Sequence, residues 1–80
     1  MPNSNQDPQD HRLAQQYTQL YGPFVKGDYE IGDMLYFDEG AHRGVVIWSY
    51  VRSNGRTYYV VDAGHGIPLE IERREVTAQP

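Results

Sequence analysis

Two runs rich in β-branched and aromatic residues, Val45 to Val51 and Tyr58 to Val61, are joined through Ser53-Asn54-Gly55, and this pairing constrains the chain most. Asn and Gly both tolerate the positive φ of a tight turn, so the segment reads as a β-hairpin. A two-residue Asn54-Gly55 turn would set Tyr50 opposite Tyr59 and Trp48 opposite Val61. One face would then carry Val46, Trp48, Tyr50, Tyr59 and Val61, the other Val45, Ile47, Ser49, Val51, Tyr58, Val60 and Asp62. A three-residue loop with a bulge would slip the pairing by one and move every residue of the second strand to the opposite face. In either register both faces are largely apolar. A chain of 80 residues buries only about 60% of its unfolded surface. Such a sheet must curl into a barrel and cover its second face with a helix or a partner.

The cover is supplied upstream. Asp7-Pro8-Gln9-Asp10 reads as a helix start, with Asp7 at the N-cap, Pro8 at the first helical position and Asp10 near the positive end of the macrodipole. Leu13, Tyr17, Leu20 and Tyr21 follow at helical spacing, and Gly22-Pro23 closes the element. A helix this short with so narrow a stripe is marginal alone, so it must dock. We expect it to dock on its own sheet as a lid; docking on a second copy, giving a homo-oligomer, is the alternative.

The remaining strands are shorter. Residues 23–30 form a connector in which Phe24 and Val25 are expected to tuck against the core. Ile31-Gly32-Asp33 turns into a strand from Met34 to Phe37, with Leu35 and Phe37 on one face and Met34 and Tyr36 on the other. Gly40 and Gly44 mark a loop with positive-φ or close-approach positions. Leu69 to Glu72 is a further strand with Leu69 and Ile71 inward, and Val76 anchors a short last element. The chain therefore divides into a disordered tail (1–6), an N-terminal helix (7–22), a connector (23–30) and a β-barrel (31–77). The expected core is Leu35, Phe37, Val46 or Val45, Val61 or Val60, Leu69, Ile71 and Val76.

Composition narrows the function classes. The chain has no cysteine, so disulfides, thiolate metal sites and a cysteine nucleophile are excluded together. No apolar run approaches the roughly 20 residues of a membrane span, and Met1 to Gln9 has neither signal nor transit character. A cytoplasmic protein without membrane association is the expectation. Seven Lys and Arg against eleven Asp and Glu give a net charge of −4, which opposes sequence-independent binding to a phosphate backbone.

Ile31-Gly32-Asp33, Leu35 with Phe37, the Gly40 to Gly44 loop, Val45-Val46-Ile47, Tyr58 to Val61, and Leu69-Glu70-Ile71 with Val76 together resemble an SH3-like small β-barrel. The order and spacing are similar to KOW domains and to the Tudor-like RNA-polymerase-binding domain of CarD-type regulators. The resemblance implies a mainly β fold, a five-stranded antiparallel barrel with an N-terminal α-helix, and a binding rather than a catalytic role. A weaker resemblance is to the plasmid-borne type II dihydrofolate reductases, through Tyr59-Val60-Val61-Asp62 and His65-Gly66. That family uses a Val-Gln-Ile-Tyr run in the next strand, where this chain has Leu69-Glu70-Ile71-Glu72.

Residues able to carry chemistry are few. His11, His42 and His65 lie in separate segments without metal-ligand spacing, and Ser49 and Ser53 lack an activating base. No catalytic residue, metal or cofactor is expected. His65, between Gly64 and Gly66 and near Asp62, is the best placed of the histidines. The leading reading is a non-catalytic protein-interaction module, with a regulatory role, presenting Tyr36, Trp48, Tyr50 and Tyr58. The alternative is a KOW-like or Tudor-like nucleic-acid or RNA-polymerase binder using arginines beside these tyrosines. Arg73 and Arg74 are interleaved with Glu70, Glu72 and Glu75, whereas Arg52 and Arg56 at the hairpin tip have no acids beside them in sequence. An enzyme resembling type II dihydrofolate reductase is the remote alternative.

Overall fold

The structure, a computed structural model, describes residues 8–77. The expected tail at residues 1–6, the Asp7 cap and the Asp10 side chain lie outside the described residues. Helix α1 (Pro8–Tyr21) precedes five strands: β1 (Met34–Phe37), β2 (His42–Val51), β3 (Thr57–Asp62), β4 (Leu69–Glu72) and β5 (Val76–Thr77). A 3₁₀ turn at Arg73–Glu75 links the last two. The strands form one antiparallel sheet in the order β4-β3-β2-β1-β5. It curls into a half-barrel, so the fold is mainly β with one N-terminal helix, compatible with a small SH3-like barrel.

The hairpin takes the longer of the two loops. Arg52 N donates to Arg56 O at 3.0 Å and Gly55 N to Arg52 O at 2.8 Å, leaving Ser53-Asn54-Gly55 as a three-residue loop with Gly55 at φ 80°. That is a tight turn closed by a left-handed residue, which glycine occupies without a Cβ penalty. Tyr50 therefore faces Tyr58, and Trp48 faces Val60. The pairing of Tyr50 with Tyr59 and of Trp48 with Val61, which the two-residue turn required, does not occur.

A second irregularity decides the faces. The register shifts between Val46 and Trp48, so Ile47 is bulged and Val46 opposes Val61 while Trp48 opposes Val60. Two residues that strict alternation would hold together are sent to opposite sides of the sheet. Val46 joins Leu35, Phe37, Tyr59, Val61 and Ile71 in the inner core, with Tyr29 and Val76 packed against it. Trp48 joins Tyr50, Tyr58 and Val60 in an outer core, against which Ala14, Tyr17, Tyr21 and Ile47 pack. Leu69, expected inside, is 38% exposed at the start of an edge strand.

The helix covers the outer core, as a lid in cis. Its buried stripe is narrower than Leu13, Tyr17, Leu20 and Tyr21: Leu20 is 70% exposed and Leu13 is 40% exposed, while Ala14 takes the inward position. Tyrosine rings are long enough to reach the sheet and let the helix axis stand off it, which leaves the aliphatic flanks uncovered. Gly22 ends the helix with φ 122° and N–H to Thr18 O at 2.9 Å.

The connector is pinned separately. Val25 N donates to Ser49 O at 3.0 Å, Ser49 Oγ to Val25 O at 2.7 Å, and Asp28 N to Tyr59 Oη at 2.8 Å. Phe24 and Val25 stay more exposed than expected, although Phe24 meets Trp48 edge-on at 5.3 Å. Tyr29 is the residue that enters the inner core, edge-on to Tyr59 at 5.4 Å. Gly27 permits this: a Cβ there would lie 2.2 Å from Tyr59 Oη. Gly44 is a close-approach position, since a Cβ would lie 3.0 Å from Asp62 O, and Gly40 has positive φ.

Candidate functional site

The outer face concentrates the chain's aromatic residues. Tyr17 lies 5.5 Å from Trp48, Tyr21 stacks on Tyr50 at 5.7 Å, and Tyr50 stacks on Tyr58 at 5.8 Å between ring centroids. The indole Nε1 donates to Gly22 O at 3.0 Å, so the polar edge of the buried ring is satisfied. Trp48 and Tyr50 are buried against α1 and the connector, and Tyr58 is buried beside Tyr50 with the Arg52 guanidinium over its ring. As an exposed groove these three are not available, because α1 and the Arg52 side chain already occupy the surface they form.

What stays open lies on the flank of α1. Leu13, Ala14, Tyr17, Ile31, Ile47 and Trp48 line a cleft of about 370 Å³ between the helix and the sheet. Ile31 is 52% exposed at its rim. Tyr36 sits on the same side of β1 as Met34, half-buried and opposite Arg43. Ile31, Leu13 and Ile47 carry no motif: Ile31 reads as part of a turn, Leu13 as core, and Ile47 acquires its position from the bulge.

At the hairpin tip the arginines are paired rather than free. Arg52 Nη2 bonds Glu70 Oε1 at 2.9 Å, Arg52 Nε donates to Tyr50 Oη at 3.1 Å, and its guanidinium lies 3.8 Å above the Tyr58 ring. Arg56 Nη1 bonds Glu72 Oε2 at 2.8 Å, and Arg74 Nε reaches the same oxygen at 3.0 Å. The acids come from β4, which pairs with β3 and brings Glu70 opposite Val60 and Glu72 opposite Tyr58. Clear of acids along the chain, Arg52 and Arg56 meet acids that the fold brings across from β4. Asn54 Nδ2 completes the tip by donating to Tyr58 Oη at 3.1 Å.

This network perturbs ionisation. Burial, then the hydrogen bond it donates to Glu70, pushes the Tyr50 hydroxyl above the ordinary tyrosine range. Burial, then the Glu70 charge, raises Tyr21. The hydrogen bonds to Tyr50 and Glu70 raise Arg52 further, and the bond to Glu72 raises Arg56.

The histidines sit apart from the aromatic face. His65 and His42 share the rim of a second cleft with Phe37, Ala41, Ala63 and Leu69. His42 Nε2 is 3.2 Å from Asp38 Oδ2. Among the described residues no group of three or more His, Cys, Asp or Glu could hold a metal ion, and no helix is long and apolar enough to cross a membrane. Asp38 and Glu39 both have positive φ, 57° and 58°, a conformation costly for residues with a Cβ. Compared with protein-family models, curated proteins and solved structures, the chain matches none.

Proposed function

We propose that the chain is a small, non-catalytic protein-interaction module that binds through the outer side of its sheet, at the cleft flanking α1. The cleft supports this reading because its lining is mainly apolar, with Ile31 and Leu13 at the rim and Trp48 at the floor. A desolvated aromatic framed by aliphatic residues is the composition of interface hot spots. A regulatory role and the partnership with RNA polymerase implied by the CarD-type resemblance belong to the same proposal, as one identity the partner can take.

A photo-crosslinking residue at position 31 of the full chain, expressed in its native cells, tests the reading. A discrete crosslinked protein is expected, lost when Ile47→Asp puts a charge in the cleft. The same residue at position 67, where Ile67 is 78% exposed on a distant loop, should trap nothing comparable. Equal crosslinking from both positions, or none from position 31, would remove the cleft as the interface.

For nucleic acid, the paired arginines weigh against a strong electrostatic contact. Arg52 already stacks on the Tyr58 ring that a base would need, and Glu70 and Glu72 neutralise the tip. Micromolar, steeply salt-dependent binding abolished by changing Arg52 and Arg56 would favour the nucleic-acid reading instead.

A further inference from the structure

We propose that α1 is a displaceable resident of the outer sheet face, and that a partner takes its place there with an amphipathic helix carrying a small residue and two aromatics at the spacing of Ala14, Tyr17 and Tyr21. Displacement presupposes that the outer side is the interaction surface, and it specifies what that surface accepts.

The two cores make release feasible. None of the inner-core residues comes from α1, and Leu35, Phe37, Val46, Tyr59, Val61 and Ile71 are closed by the sheet itself with Tyr29 and Val76. Among the described residues no ion pair joins α1 to the sheet. The helix is held by ring contacts from Tyr17 and Tyr21 and by the Trp48 bond to Gly22 O. The connector keeps its own anchors at Val25–Ser49 and Asp28–Tyr59. Movement can therefore stop at Gly22, whose φ of 122° needs no Cβ to be accommodated.

The occupant's chemistry is written on the site. The β2–β3 and β3–β4 pairings run in the plane of the sheet, so the face over Trp48, Tyr50 and Val60 presents side chains and not backbone groups. An added strand would find no ladder to extend on this face, whereas a helix satisfies its own backbone and offers only side chains. The face already receives a helix through residues three and four apart. The cleft at Leu13, Ile31 and Ile47 lies beside α1 and gives an incoming helix apolar surface to engage before α1 leaves.

Trp48 is the single tryptophan and lies under the helix, so its emission reports the exchange. In the unaltered protein, α1 amides should exchange at least about 100-fold faster than those of Val46 and Val61, by local opening that leaves the strands closed. A synthetic peptide of residues 8–22 is the probe. It should bind the full-length Tyr17→Ser, Tyr21→Ser double variant at least about tenfold more tightly than the unaltered chain, shifting Trp48 emission, with a scrambled peptide inert. Common exchange rates for α1 and the strands would show that the helix is part of one cooperative unit and overturn the proposal. So would failure of the peptide to bind a variant whose strand amides stay protected, or a doubled solution mass showing that a second copy fills the face. If crosslinking from position 31 persists while the peptide fails, the interaction surface stands and only the displacement falls.

Discussion

On the inner side of the sheet, six residues from β1 to β4 are sealed by the curl of the chain. On the outer side, Trp48, Tyr50, Tyr58 and Val60 are sealed by a helix that contributes Ala14, Tyr17 and Tyr21. The inner core is mostly aliphatic and cannot open without breaking the ladder. The outer core is aromatic, with ring pairs worth roughly 0.5–1.5 kcal/mol each beyond their area, and it can open at one hinge. A 14-residue helix is marginal by itself, so these few ring contacts decide whether α1 is in place. A small domain can thus hold a firm fold and a loosely held surface on two sides of one sheet.

The sharpest way to break this comparison is to truncate each core in turn. Leu35→Ala should cost about 2–5 kcal/mol in denaturant unfolding, because Leu35 is 1% exposed in the inner core. Gly27→Ala should come next, at about 1–3 kcal/mol, since the new methyl would collide with Tyr59 and push it off Asp28 N; Tyr59→Phe in the same chain should recover part of that loss. Tyr21→Ala, which removes the ring pairs with Tyr17 and Tyr50, should cost about 1–3 kcal/mol and redden Trp48 emission while leaving the strand amides protected. If Tyr21→Ala proves as damaging as Leu35→Ala, the two cores are one unit.

Alkaline titration separates the faces without mutation. A tyrosine whose pKa is raised on folding favours the folded state below its unfolded value, and that contribution disappears as pH rises through the folded value. Tyr50 and Tyr21, both raised, should therefore weaken the outer face above about pH 10, seen as faster α1 amide exchange relative to the strands. Tyr50→Phe should flatten that dependence. The smallest effect is expected at the hairpin tip, where Arg56→Ala should leave the denaturant midpoint essentially unchanged. Arg56 is largely solvated, and Glu72 keeps Arg74.

The strands, the helix and the place of the hairpin tip were legible in the sequence because each is written within a few residues, in β-branched runs, an apolar period and Asn-Gly. Inner Leu35, Phe37 and Ile71 were legible for the same reason, alternation along short strands. The aromatic site was legible only as a set of residue types. Whether Trp48 faces the barrel or the helix depends on the bulge at Ile47 and on the loop size, and a single residue of register inverts the answer. The partners of Arg52 and Arg56 are 18 and 16 residues away on β4, and the need for glycine at Gly27 arises from Tyr59 across the core. Local pattern determined which elements form. Which surfaces remain open was decided by tertiary structure, because exposure depends on contacts between segments distant in the chain.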